Sequence, residues 1–178
     1  MSIREKLSER YFVILLFLLG TKNTTHLRGS LSSHLQGTYR LLKEWGCPHN
    51  LCLAGLFHSI YGTEIFTVKT LGYEKRYLIK FLIGKYSEKL VYLFSIAERP
   101  MSFLYSIDSK TILDKKTGVY LAVSSEELRD LIVLECANLI DQQDGRLFLE
   151  KLDRMIEKGN YTIPTEILTA VQSFLRKQ

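Results

Sequence analysis

The feature that most restricts the fold is a pair of helical segments separated by a turn of about two residues. In SLSSHLQGTYRLLKEWG, which runs from Ser30 to Gly46, apolar side chains recur at helical spacing, and a glycine commonly ends a helix. Pro48 suits the first position of the next segment, which continues with apolar residues to His58. Because the connection is so short, we expect the two helices to pack as a near-antiparallel pair.

The rest of the chain also has a mostly helical pattern, with one exception. Two β-prone runs flank Asp114–Gly118, which predicts a small hairpin at about residues 111–123. We expect this hairpin to be a peripheral insertion outside the core that flanks the mouth of a pocket. Ser124 and Glu127 form a capping box at the start of a long helix. Further helices are predicted over residues 4–20, from about Tyr73, from Ser87 to before Pro100, from Ser124 to about Gln142, and over 146–157 and 164–176.

Composition restricts the class of protein. A chain of 178 residues with 46% hydrophobic and 24% charged residues is of ordinary globular type and long enough for one domain. The net charge of +5 is spread along the chain, which argues against nucleic acid as a partner. Three cysteines without a CxxC pair argue against a disulfide framework and favour a reducing, cytoplasmic location. The apolar run Tyr11–Gly20 is too short to span a bilayer, so we expect a buried helix and no membrane partner.

Two histidines stand out as candidate ligands. His34 lies on the first helix of the pair and His58 ends the second, and imidazoles on facing helices can share a metal ion. His26 lies eight residues before His34, in the loop that leads in. The competing interpretation is that each histidine is a structural hydrogen-bonding group. The sequence contains no HExxH, P-loop, GxGxxG or GxSxG motif.

This arrangement resembles the HD-domain superfamily of all-α bundles, over roughly residues 30–142. Members carry a first histidine, a His-Asp pair and a last aspartate on a later helix, and many are metal-dependent phosphohydrolases. His34 matches the first position and His58 the second, whereas Ser59 stands in place of the paired aspartate and Asn138, in ECANLID, in place of the last one. The resemblance implies a single HD-like domain over 1–178. Its core would cover about 30–142, the insertion about 111–123 and the C-terminal helices 146–176.

Two longer motifs also resemble an uncharacterised family of unknown function. They are HLQGTYRLLKEWG and CLAGLFHSIYGTEIF, in that order, and this resemblance implies no activity. Because two carboxylates of the HD pattern are absent, a nearby acid would have to complete a metal set. Our candidates are Glu64 and Glu135 as catalytic groups, with His34 and His58 as ligands of a divalent metal (Fe, Mn or Mg). The candidate substrate-binding residues are His26, Thr38, Tyr61, Asn138 and Arg99.

Three functions remain open from the sequence. The first is a metal-dependent hydrolase of a phosphorylated small molecule, with a possible homodimer as the assembly. In that case Lys69, Lys75, Arg76 or Arg99 would neutralise the phosphate. The second is an iron-dependent oxygenase resembling the diiron branch of the superfamily, for which His26 would be an extra ligand. The third is a non-catalytic domain that binds a ligand or protein and has lost the metal chemistry, which Ser59 and Asn138 favour.

Overall fold

The computed structural model describes Tyr11 and residues 25–26, 29–62 and 71–177. From Thr25 onward these residues form eight α-helices, one short 3-10 helix and two small antiparallel β-pairs. The strands are β1 (Thr25–His26), β2 (Gly29–Ser30), β3 (Thr111–Leu113) and β4 (Tyr120–Ala122). The helices are α1 (Leu31–Glu44), α2 (His49–Phe57), α3 (Arg76–Ile83), α4 (Lys85–Ile96), α5 (Met101–Ser109), α6 (Ser125–Gln142), α7 (Arg146–Glu157) and α8 (Thr165–Arg176), and Tyr73–Lys75 is the 3-10 helix.

Helix α2 lies at the centre of the bundle. It is apolar around its whole circumference, and every residue from Leu51 to Phe57 is buried. A helix of this kind must be covered on all sides, and α1, α4 and α6 pack against it. The central position of α2 carries its last residues, and therefore His58, into the interior.

Helices α1 and α2 approach each other closely because Gly55 has no side chain. A Cβ atom at Gly55 would lie 2.4 Å from Leu42 Cδ1 of α1, which is closer than real carbon atoms come. The buried residues of α1 recur every three or four positions, as expected for one face of a helix. The same face also packs against α6, so His34 is enclosed by three helices.

Helix α6 is the longest helix among the described residues, and its ends follow the sequence signals. The Ser124 hydroxyl accepts a hydrogen bond from the Glu127 backbone N–H, and the Glu127 carboxylate accepts one from the backbone of Ser124, which confirms the predicted capping box. The helix ends at Gln142, and Gln143 adopts a left-handed conformation with φ of 53°. Twelve of its eighteen residues are buried, so α6 contributes to both the apolar core and the polar site.

The predicted hairpin is present as β3 and β4, with Ile112 paired to Leu121. The expectation that it lies outside the core is wrong for Ile112, which is completely buried in the main hydrophobic cluster. Val123, just after β4, is buried in the same cluster. The hairpin is therefore attached to the bundle by two apolar anchors, whereas its turn and the residues Tyr120 and Ala122 of β4 are exposed.

The predicted fold class, all-α with a β-hairpin, is confirmed. The helix α5 was missed, because MSFLYSIDS follows a proline and precedes a β-prone run without any helix-capping signal. Residues 4–20, where a first helix is expected, lie outside the described residues apart from Tyr11, which is helical. Within the part of the chain that the structure describes, no helix is both long enough and apolar enough to cross a lipid bilayer.

Candidate functional site

His34 of α1 and His58 at the end of α2 meet inside the bundle. Their Nε2 atoms are 3.1 Å apart, and the rings meet edge to face with centroids 5.0 Å apart. Only 6% of the surface of His34 and 1% of that of His58 is exposed. The two histidines that the sequence selected therefore share one buried polar site.

Asp141 of α6 holds the other nitrogen of His34. Its Oδ2 atom lies 2.6 Å from His34 Nδ1. The carboxylate sits against α1 where that helix has a glycine, because a Cβ atom at Gly37 would lie 1.8 Å from Asp141 Oδ1. The glycine in the middle of HLQGTYR thus gives the carboxylate the space it needs to reach His34.

A backbone carbonyl holds His58 in the same way. Its Nδ1 atom lies 2.7 Å from the carbonyl oxygen of Gly55, one turn back in α2. The ring also packs edge to face on Phe94 of α4, with centroids 5.3 Å apart. The position and the rotation of the His58 ring are therefore both fixed.

These partners determine where the ring hydrogens are. A carboxylate and a carbonyl oxygen are acceptors, so Nδ1 carries the hydrogen in both His34 and His58. In neutral imidazoles the two Nε2 atoms then carry lone pairs, and these face each other across 3.1 Å. Such a contact is favourable only if a proton or another cation lies between the two Nε2 atoms. We call this place the shared position.

Asn138 and Gln142 of α6 border this position. Asn138 Oδ1 is 3.0 Å from His34 Nε2, and the Gln142 amide nitrogen donates to Asn138 Oδ1 at 2.9 Å. The same Gln142 nitrogen lies 3.2 Å from His34 Nε2, so it can also donate a hydrogen there. Rotation of the Gln142 amide would exchange this donor for an oxygen acceptor, since the two ends of an amide are nearly equal in size.

A buried ion pair holds the Asn138 amide on the side away from His34. Arg99 Nη1 donates to Glu135 Oε2 at 2.7 Å, and the Asn138 amide nitrogen donates to Glu135 Oε1 at 3.3 Å. The Arg99 guanidinium also stacks on the Phe94 ring, with its Cζ atom 3.9 Å from the ring centroid. Because Glu135 holds the nitrogen of the Asn138 amide, the amide oxygen is turned towards His34.

The charges of this cluster favour a cation. Arg99 contributes one positive charge, and Glu135 and Asp141 contribute two negative charges. With both imidazoles neutral, the cluster carries a net charge of −1 in a largely buried location, where a charge without a counter-charge is costly. A proton on one imidazole would neutralise this charge, and a bound divalent ion would change it from −1 to +1.

The donor set can be compared with the requirements of a metal ion. Metal–nitrogen bonds are about 2.1 Å long, so two imidazole ligands at a right angle on one ion have nitrogens about 3.0 Å apart, close to the observed separation. Asn138 Oδ1 supplies a third neutral donor at the same place. Within the described residues, no group of three or more His, Cys, Asp or Glu side chains is arranged to hold a metal. The available set is therefore two imidazoles and an amide oxygen, without a carboxylate ligand.

Two of the predicted substrate-binding residues, Thr38 and Tyr61, form hydrogen bonds outside the histidine pair. Thr38 is completely buried, and its hydroxyl donates to the backbone carbonyl of His34, one turn back. Tyr61 donates to Glu88 at 3.2 Å in a second buried cluster, where Arg76 binds the same carboxylate. Burial, followed by the nearby charge of Glu88, raises the pKa of the Tyr61 hydroxyl above its usual range. The hydrogen bonds of these two hydroxyls thus go to groups other than the His34 and His58 rings.

Several predicted residues lie outside the part of the chain that the structure describes. Glu64, our first candidate for a catalytic carboxylate, and Lys69 lie outside the described residues, as does the side chain of His26. Gly62, with φ of 74°, turns the chain immediately after the buried segment that contains His58. Glu135 is described, and its carboxylate is engaged by Arg99 and Asn138.

Sequence reasoning missed Asp141, Gln142 and Gly37. The first two follow Asn138 by three and four positions, which is the spacing of side chains that share a helix face. That spacing could have indicated them once Asn138 was selected. No sequence signal pointed to Gly37, because its role depends on how closely α6 crosses α1.

Comparisons with known proteins support one of the two resemblances, the one to an uncharacterised family. No curated protein and no solved structure matches the chain, and nothing supports the resemblance to the HD-domain superfamily. Residues 15–99 match the family described as Domain of unknown function (DUF6817), a span that includes His34 and His58 and ends before α6. Over these residues, the chain is thus similar to a family to which no activity is assigned.

Proposed function

We propose that this domain is a metal-dependent hydrolase whose divalent ion is held by His34, His58 and Asn138. The observation that carries the proposal is the convergence of two Nε2 lone pairs at 3.1 Å, each on a ring whose Nδ1 is held by an acceptor. Metal-binding histidines commonly have their second nitrogen held in this way, which fixes the ring and increases its basicity.

The residues around the ligands have separate roles. Asp141 and the Gly55 carbonyl hold the Nδ1 protons of the two rings, and Glu135 turns the Asn138 oxygen towards the site. A bound divalent ion would lower the pKa of a water molecule and polarise the substrate. Two imidazoles and an amide are neutral, so the full charge of the ion would act on the substrate and on the water.

The proposed substrate is a phosphorylated small molecule, in a cytoplasmic setting, and the protein can act as a monomer or as a homodimer. This choice rests on the resemblance of the His34 and His58 segments to hydrolases of the HD type. An iron oxygenase remains the alternative for the same ligands, since imidazole nitrogen is also a suitable ligand for iron.

A non-catalytic domain is the competing explanation for the same geometry. A single proton between the rings, with His34 charged and paired to Asp141, would also make the 3.1 Å contact favourable. In that case the cluster holds α1, α2 and α6 together, and any ligand binds elsewhere. The two explanations differ in whether the site takes up metal.

Metal analysis of the untagged protein tests the proposal. We expect purified protein, or protein loaded with iron, manganese or zinc, to retain about one equivalent of metal per chain, the number expected for one site. His58→Gln should lose this metal. The matched control is His49→Gln, which alters an exposed histidine at the start of α2 and should leave binding unchanged.

Metal uptake is then compared with hydrolysis of a generic phosphomonoester. Equal metal uptake by His58→Gln and His49→Gln would rule out the metal site. So would the absence of uptake with every ion by protein that circular dichroism shows to be folded. Either result would favour the non-catalytic domain. Iron retention with oxygen consumption and without hydrolysis would support the oxygenase instead.

A further inference from the structure

Helix α3 has an apolar side that nothing among the described residues covers. Tyr77 is 66% exposed, Leu78 41% and Phe81 87%. Phe81 is the most exposed of the large hydrophobic residues that the structure describes. Three such side chains on a helix of eight residues form an outward ridge, which we call the α3 ridge.

The α3 ridge lies opposite the side of α3 that packs on the bundle. Ile79 and Ile83 are buried, and Phe81 is rotated by about 200° around the helix axis from Ile79. Tyr77 and Phe81 are one helical turn apart and therefore adjacent on the surface. The helix thus has one apolar face for the core and a second apolar face directed into solvent.

Positive charges surround the α3 ridge. Lys75, Lys80 and Lys85 are exposed on or beside α3. The nearby acid Glu88 is completely buried; it binds Arg76 and lies 3.8 Å from the Nζ atom of Lys80, so it offsets part of the charge of that lysine. The hairpin adds a further cation at this end of the molecule, because Lys116 donates to the Tyr73 hydroxyl just before α3. Glu74 is the one exposed acid in the described stretch from residue 71 to 85.

We propose that the α3 ridge binds the surface of an anionic lipid bilayer. Aromatic and leucine side chains enter the boundary between headgroups and acyl chains, while the flanking lysines contact the anionic headgroups. This binding is peripheral and involves no spanning segment. The cytoplasmic leaflet of a cell membrane carries the negative charge that such binding requires.

The size of the α3 ridge favours a bilayer over a protein partner. Its three side chains expose roughly 350 Å², if a whole aromatic side chain contributes 150–250 Å². A stable protein interface needs about 800 Å² from each partner and a complementary surface. A second copy of this chain would also bring two sets of lysines close together. A bilayer needs neither a large area nor a matching shape.

Vesicle sedimentation with the full-length protein tests the proposal independently of the metal site. We expect binding to phosphatidylcholine vesicles that contain about 30% phosphatidylserine, weak binding to phosphatidylcholine alone, and a decrease with added salt. Phe81→Ser should reduce partitioning about tenfold because it removes an inserted aromatic ring. Lys85→Gln should reduce it about fivefold at low salt.

The matched controls alter exposed residues away from the α3 ridge. Leu147→Ser removes a side chain that is 69% exposed on α7, and Lys158→Gln removes an exposed lysine after the same helix; neither should change binding. Absence of binding by folded protein, or equal losses in Phe81→Ser and Leu147→Ser, would overturn the proposal. A dimer in analytical ultracentrifugation that Phe81→Ser dissociates would also overturn it, because a second copy would then cover the ridge.

Discussion

Replacing Gly37 with alanine should destabilise this protein, although alanine is the better helix former. Alanine in place of glycine inside a helix normally stabilises by about 0.5–1 kcal/mol. Here the new Cβ atom would lie 1.8 Å from Asp141 Oδ1 and 2.6 Å from Asp141 Cγ. The carboxylate must therefore move away, and its hydrogen bond to His34 is lost.

The expected change in the free energy of unfolding follows from the lost hydrogen bond and the gain in helix propensity. A hydrogen bond to a charged group contributes about 1.5–3 kcal/mol, and partial exposure of the Asp141 side chain, at 24%, places this bond towards the lower end. After the gain in helix propensity is subtracted, Gly37→Ala should lower the free energy of unfolding by about 1 kcal/mol. For a chain of this length, the melting temperature should fall by about 2–4 °C.

Urea denaturation followed by circular dichroism measures the change, and a double-mutant cycle identifies its cause. In an Asp141→Ala background no carboxylate meets the new methyl group, so Gly37→Ala should stabilise by about 0.5–1 kcal/mol. The sign of the effect should thus reverse between the two backgrounds. Stabilisation by Gly37→Ala in the otherwise unchanged protein, or the same effect in both backgrounds, would refute the contact between α1 and α6.

Three further predictions concern other parts of the bundle. Arg99→Ala leaves a buried carboxylate without its counter-charge, so it should cost about 3–5 kcal/mol in urea denaturation; a cost below about 1 kcal/mol would contradict a buried pair. Ile112→Ala should cost about 2–5 kcal/mol because this hairpin residue is in the core, whereas Val119→Ala in the exposed turn should change stability by less than about 0.5 kcal/mol. Burial is the main reason that the pKa values of the Cys47 thiol and the Tyr161 hydroxyl are raised to about 12. Since both groups ionise at lower pH in the unfolded chain, stability should fall as the pH rises above about 9, and a flat urea midpoint between about pH 8 and pH 11 would contradict this.

Much of the architecture could be predicted from local sequence. The spacing of apolar residues in α1 and the capping box of α6 each act within one segment, so the boundaries predicted from them differ from the observed ones by at most two residues. The short connection before Pro48 correctly indicated that α1 and α2 pack against each other. The selection of His34 and His58 as neighbours followed from the same pairing.

Other features depend on which helices cross and how closely, and no local pattern encodes that. Asp141 lies more than a hundred residues after His34, and it reaches the ring only because Gly37 leaves space where α6 crosses α1. Glu135 was predicted to be a catalytic carboxylate, but the structure places Arg99 against it. The sequence by itself determined most of the helices, though not α5, and the histidine pair, because apolar periodicity and turn residues are short-range properties. Only the tertiary structure decided which acids serve the site and that one face of α3 stays in solvent, because those outcomes depend on contacts between distant segments.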